Sequence, residues 1–398
     1  MPFEIRILGH RGEGTTNKNP AVYSKKLKPR PEPRYRNQIL PENSLSAVEH
    51  ALQHADGVEF DVFLSKDNVP MVIHDNQLAR NVDGYHYWGK EEADESLGLV
   101  SDYTRDELQR KFVIGNDERI PALEEMIQLI IKKNHAYGHH KRRNFTVNIE
   151  LKNGKAISRE TYKIVKSYID NPDNQLTPDD FIFNSFEPEC IWEMTQLDHG
   201  MHCALCITTH ELFGEVLMPG YVPTNKHYQP DALENLDRLI TQMNLSSLDV
   251  VSADATEEMF ALCAKRNISL NLTIIQTRLQ YQSRYTRNEI LPDSELEIRE
   301  LNRLVELAQK YEILINIRTD DPGNTKNLLD QILKIKSICR AETTRTVEFL
   351  KQSRYDYSFL ASFKNRMLDY QSATSDELGR ELAKAYADAA DQHMMKMK

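Results

Sequence analysis

Short β-rich runs alternate with helical patterns along most of this sequence, and that alternation constrains the fold more than any other feature. "IRILGH" (5–10) reads as a first strand, and 41–56, "PENSLSAVEHALQHAD", as a helix capped by Asn43 or Ser44. "GVEFDVFLS" (57–65), the tight turn "KDN" and "VPMVIHD" (69–75) read as a strand with a hairpin return. After an irregular polar segment, 76–120, strands are predicted at 145–152, 181–186, 201–208, 248–255, 268–275 and 312–321, each preceded by a helical pattern. Counting the hairpin once gives eight strands, so the expected fold is α/β: a (β/α)8 TIM barrel. A helix over 324–336 closes the barrel domain, 1–336, and 337–398 forms a C-terminal helical extension with Leu378, Leu382 and Tyr386 at four-residue spacing.

Composition narrows the classes of function. The chain has 398 residues and a net charge of −10, which speaks against a global nucleic-acid binder. Five cysteines, irregularly spaced, do not make a disulfide framework and point to a reducing compartment. Cys203 and Cys206 form a C-x-x-C, but "HCALCIT" reads as a buried strand with two core thiols. No apolar run reaches the length of a membrane span, and "MPFEIRILGHRG" lacks a signal-peptide core. The expected location is cytoplasmic, with export by a signal-independent route left open.

In a barrel of this kind the site lies at the carboxyl ends of the strands. The first predicted strand ends in His10 and Arg11, and the hairpin return ends in His74 and Asp75. The second strand carries Glu59 and Asp61, the third Glu150 and Lys152, and the fourth ends Asn184, Ser185, Phe186. Glu59 and Asp61 are two apart and share one face of their strand; Val58, Phe60 and Val62 take the other. Three carboxylates at one barrel mouth repel each other, and one divalent cation neutralises them; oxygen donors favour Mg²⁺ or Ca²⁺. The competing reading, a structural ion network with Arg11 and Lys152, accounts for one carboxylate better than for three. His10 and His74 suit general acid and general base work, and Arg11 offers a fork for phosphate oxygens.

Taken in order, "GHRG", "PENSLSAVEHAL", "GVEFDVFLSKDNVPMVIHDNQLAR", "IPALEEMI", "NIELK" and "FNSF" resemble the glycerophosphodiester phosphodiesterase family over about residues 5–190. The resemblance implies a TIM-barrel hydrolase of glycerol and lipid metabolism. Such an enzyme cleaves glycerophosphodiesters to sn-glycerol 3-phosphate and an alcohol, with one Mg²⁺ or Ca²⁺. It places metal ligands on Glu59, Asp61 and Glu150, catalytic histidines on His10 and His74, and phosphate or substrate contacts on Arg11, Glu42 and Lys152. The sequence departs from the family at the seventh barrel strand, where Leu272 and Ile275 stand in place of a Trp and an Asn that line the glycerol side. Asn68 replaces the glycine of the hairpin turn, and the eighth strand keeps the family's Thr-Asp ending as Thr319 and Asp320. The departures keep a second reading open: a lysophospholipase D or sphingomyelinase-D-like phosphodiesterase acting on lipids. A barrel that binds without cleaving is a third, opposed by the intact polar set.

Two segments follow strands and so belong to the rim. Residues 13–38 hold seven Lys and Arg, among them Lys25, Lys26, Lys28, Arg30, Arg34 and Arg36, against Glu13 and Glu32, and 276–294 combine Tyr281 and Tyr285 with Arg278, Arg284 and Arg287. They are expected either to be solvated loops or to cover the site and touch an anionic headgroup or membrane surface. The basic run at 132–144 precedes a strand and is assigned to the opposite end as a solvated loop.

Overall fold

The computed structural model describes residues 3–13, 40–82, 95–114, 117–136, 145–213, 228–275, 293–352, 357–373 and 377–395. Both rim segments, apart from their ends, and most of the 132–144 run lie outside the described residues. The chain divides into two compact units, Met1–Lys326 and Asn327–Lys398.

Eight parallel strands close on themselves in the first unit: β1 (Glu4–Gly9), β2 (Gly57–Leu64), β4 (Thr146–Leu151), β5 (Phe181–Ser185), β6 (His202–Cys206), β7 (Ser247–Val251), β8 (Ser269–Thr273) and β9 (Leu314–Thr319). β1 pairs with both β2 and β9, which seals the barrel, and β3 (Pro70–Val72) returns antiparallel along β2. Helices follow the strands, as a parallel sheet requires. The fold is the TIM barrel that the alternation predicts.

Outward-facing residues such as Val58, Phe60, Val147, Ile149, Phe183, Leu248 and Ile317 are fully or almost fully buried under the helices. The inward set is different. A TIM barrel stacks its interior in layers of four side chains from alternate strands. Following the pairing registers around the barrel, with a two-residue step at every second strand, gives those layers within the paired strands, and continuing the alternation one residue past the strand ends extends them to His10, Phe186 and Asp320. From the middle upward they are Leu8, Asn148, Ala204, Asn271; then Glu59, Asn184, Asp249, Arg318; then His10, Glu150, Cys206, Thr273; then Asp61, Phe186, Val251, Asp320. Branched apolar residues usually fill such layers. Here polar groups dominate the upper three, and the barrel axis has become the wall of a site. Gly57 lies one layer below Leu8, where a Cβ would sit 2.1 Å from the Thr146 carbonyl oxygen.

Helix α1 (Leu45–His54) is capped by Ser44, whose hydroxyl accepts from the Ala47 N–H at 3.0 Å. It buries Ala47, Val48, Ala51 and Leu52. Cys203 and Cys206 are buried free thiols. Three apart on a strand, they face opposite sides, and burial pushes Cys203 up to about 12.

The helix expected at 324–336 continues to Gln352. Nothing in "SICRAETTRTVEFLKQ" breaks it, because the stretch has neither Gly nor Pro. The second unit holds the rest of that helix and a pair, Tyr357–Ala373 and Glu377–Met395. Leu360 and Met394 pack together there, and Lys364 pairs with Asp391 at 2.5 Å. The buried stripe of the last helix is Ala383, Ala387, Ala390 and Met394, while Leu382 and Tyr386 are only half-buried.

Candidate active site

The end of β1 sets the geometry. His10 N–H donates to the Thr319 carbonyl at 2.9 Å, and Gly12 N–H to the Glu59 carbonyl at 3.0 Å. Between them Arg11 takes a left-handed backbone, φ 53, which non-glycine residues adopt at a cost. The turn aims the Arg11 N–H at Glu59 Oε2, 2.8 Å away. Gly12 follows at φ 77, and a Cβ there would meet the α1 backbone at 2.6 Å. The two glycines around His10 and Arg11 are the condition for this tight reversal.

The turn before α1 supplies a second wall. Arg11 Nη1 donates to both Glu42 oxygens at 3.1 Å, and Arg11 Nε lies 3.5 Å from Asp61 Oδ2. Asn43, also left-handed at φ 60, donates from Nδ2 to Asp61 Oδ2 at 3.0 Å. Its Oδ1 accepts from the Asp61 N–H at 3.1 Å. Lys152 Nζ lies 3.0 Å from Asp61 Oδ1 and is hydrogen-bonded to Glu150.

Glu59, Asp61 and Glu150 each bring a carboxylate oxygen to within 4.8 Å of the others, and all three are buried. Burial and the neighbouring Asp61 charge push Glu59 up to about 7. Burial also works against Asp61, but Lys152, Arg11 and Asn43 outweigh it and hold Asp61 below its ordinary value. Burial opposes the charge on Arg11 and on the half-buried Lys152, yet the carboxylates around them raise both above their usual values.

The donor set fits a hard divalent cation. The three ligand groups are all buried carboxylates, the oxygen donors that such an ion prefers. Charge points the same way. Glu42, Glu59, Asp61, Glu150, Asp249 and Asp320 are buried around this mouth against the cations Arg11, Lys152 and Arg318. Among the described residues this excess of buried negative charge favours uptake of a cation or of protons, to which the raised His10 and Glu59, the latter pushed up to about 7, already answer.

Each predicted histidine is backed by a carboxylate. His10 Nδ1 lies 2.7 Å from Asp320 Oδ1, and His74 Nδ1 is hydrogen-bonded to Asp75. Burial opposes a charge on His10, but Asp320 and Glu59 overcome it and raise its pKa. His74 is the more open of the two, with 27% of its side chain exposed against 13% for His10.

The residues read from the sequence thus come together: Glu59, Asp61, Glu150, Lys152, Arg11 and Glu42 interlock, and His10 joins them through the β1 turn. His74 lies on the segment after β3, whose Ile73 N–H donates to the Asp61 carbonyl at 3.0 Å. Three contributors were not singled out: Asn43, Asp75 and Asp320. Asp75 and Asp320 were visible as strand-end acids, but not as histidine partners. Leu272 faces the helices and is fully buried, so the barrel interior at that level presents Thr273.

Comparison with known proteins agrees with this construction. The model of the glycerophosphoryl diester phosphodiesterase family matches residues 10–218. A glycerophosphodiester phosphodiesterase of Bacillus altitudinis is 38% identical over 120 residues, covering 28% of this chain and 40% of that protein. Human glycerophosphodiester phosphodiesterase 1 is 29% identical over 174 residues, covering 42% of this chain and 44% of the relative. The alignments therefore span less than half the length of these curated relatives. Among solved structures, a chain described as a glycerophosphodiester phosphodiesterase from Galdieria sulphuraria superimposes with a TM-score of 0.52. It is 16% identical and covers 83% of this chain and 99% of that one, a likeness of fold. With the family model matching more than half of its length, this chain belongs to the glycerophosphoryl diester phosphodiesterase family.

Proposed function

We propose that this protein hydrolyses glycerophosphodiesters to sn-glycerol 3-phosphate and an alcohol, with Mg²⁺ or Ca²⁺. The observation that carries the reading is the buried Glu59–Asp61–Glu150 group set between two carboxylate-backed histidines. A divalent cation held by the three carboxylates supplies neutralisation of the phosphate charge when bound. Arg11 and Lys152 add fixed positive charge where negative charge develops on the phosphate oxygens. Glu42 holds the Arg11 guanidinium by a two-oxygen contact and so fixes its orientation. His10, kept cationic by Asp320, protonates the leaving alkoxide. His74, oriented by Asp75, takes the proton from the attacking hydroxyl: water gives glycerol 3-phosphate directly, whereas the neighbouring glycerol hydroxyl gives a cyclic phosphate that a second attack, by water, then opens.

The top layer favours a second reading for the substrate. Phe186, 54% exposed, follows the carboxyl end of β5 and Val251 ends β7, so the strand ends offer apolar residues as well as charged ones. Those residues suit glycerol carbons or the chain of a lysolipid, as in a lysophospholipase D or sphingomyelinase-D-like enzyme. The test is turnover on glycerophosphocholine, glycerophosphoethanolamine, glycerophosphoinositol and a lysophospholipid, with Mg²⁺, Ca²⁺ or EDTA and Glu59→Ala as control. EDTA-sensitive release of glycerol 3-phosphate from the first three is expected. Turnover of the lysolipid alone would move the reading to the lipid enzymes. No turnover of any would leave a binding barrel.

A further inference from the structure

The layer beneath the rim holds Glu59, Asn184, Asp249 and Arg318, and only Glu59 belongs to the metal-binding group. The other three form one network. Asn184 Nδ2 donates to Asp249 Oδ2 at 3.0 Å, and Arg318 Nη2 pairs with Asp249 Oδ1. Arg318 is 5% exposed and Asp249 is 2% exposed. Arg318 Nε and Asn184 Oδ1 have no hydrogen-bond partner among the described residues.

Such a pair is a poor device for stability. Taking both charges out of water is costly, and the orphaned atoms show that the cost is only partly offset; apolar side chains of similar volume usually do as well or better. What distinguishes the pair is its surroundings. Glu59 and Glu150 act on the Arg318 charge, while Glu150 and His10 act on Asp249. Arg318 also stands two residues before Asp320 on the same face of β9, directly under the His10 partner.

We propose that Arg318 and Asp249 are positioning residues that set the electrostatic potential of the carboxylate site. Asp249 holds the guanidinium within the layer and neutralises part of its charge. The remainder acts across the layer on Glu59, and so sets how strongly the triad attracts a divalent cation. The inference rests on the proposed metal-binding role of Glu59, Asp61 and Glu150.

The test is calorimetric titration of Ca²⁺ into the EDTA-stripped full chain at about pH 8, with a metal-free thermal melt of each variant as a check on folding. Asp249→Asn keeps the shape but leaves Arg318 uncompensated, and it weakens Ca²⁺ binding by about tenfold or more. Adding Arg318→Gln to it removes the excess charge and restores affinity to within about threefold of the parent. Arg318→Gln alone does not weaken binding, which keeps the test decisive if Asp249→Asn fails to fold. Weaker binding in Arg318→Gln, equal weakening in Asp249→Asn and the double variant, or no change in any variant would overturn the proposal. If the parent chain binds neither Ca²⁺ nor Mg²⁺, the metal reading itself fails and this inference goes with it.

Discussion

At the scale of single residues, the site depends on carboxylates doing two kinds of work. Some are candidates to face a cation, and others back the two histidines proposed to move protons. Asp320→Asn keeps a hydrogen-bonding group beside His10 but removes the charge that raises its pKa. Turnover should fall about 10- to 100-fold, with the basic limb of the pH–rate profile, assigned to protonated His10, moving to lower pH. A profile of kcat/KM against pH for the two proteins checks this. Glu59 makes a separate prediction. Its folded pKa, about 7 without metal, lies above the ordinary 4.5. The metal-free fold therefore binds a proton that the unfolded chain gives up, and stability from this group declines as pH rises from about 4.5 to about 7. Glu59→Gln should thus gain stability relative to the metal-free parent across that window, by roughly 2–3 kcal/mol at its upper end. Urea titrations of both proteins in EDTA from pH 5 to 8 measure the difference.

At the scale of elements, the turn into α1 joins folding to chemistry. Ser44→Ala removes the cap and should cost about 1 kcal/mol, read from denaturant unfolding. Asn43→Ala, one residue earlier, should cost about 2 kcal/mol and also weaken cation binding, because both Asn43 bonds go to Asp61. The elements themselves were largely legible in the sequence. In "GVEFDVFLS" charge alternates with apolar residues, so the strand, its buried face and its hairpin could all be read. The long helix from Pro322 could not be bounded, because no breaker marks its end before Gln352. The last helix was legible, but its buried face was not: the alanines that line it carry weak hydrophobic contrast. The Arg318 layer was hidden for another reason. Nothing local in "LINIRT" or "SLDVV" says that the two strands meet with Arg318 level with Asp249; the stagger of the closed barrel decides it.

At the scale of the whole molecule, the proposed cation site should couple binding to stability. A cation that binds only the folded form stabilises it by mass action, by about 2.7 kcal/mol at a hundred times the dissociation constant. Ca²⁺ or Mg²⁺ should raise the melting temperature by a few degrees, EDTA should reverse the shift, and Glu59→Ala should abolish it. Differential scanning calorimetry over a range of cation concentrations tests all three. Among the described residues no helix is long and apolar enough to cross a membrane. The His10–Asp320 contact has one further consequence. Its partners are 310 residues apart in the chain. At about 5–20 residues per second on the ribosome, His10 emerges roughly 15–60 s before Asp320 does. Through that interval β1 lacks β9, one of its two strand neighbours, and the nascent chain carries an unpaired edge with a half-built reaction centre. Closure of the barrel, and with it the His10–Asp320 contact, waits for the synthesis of β9.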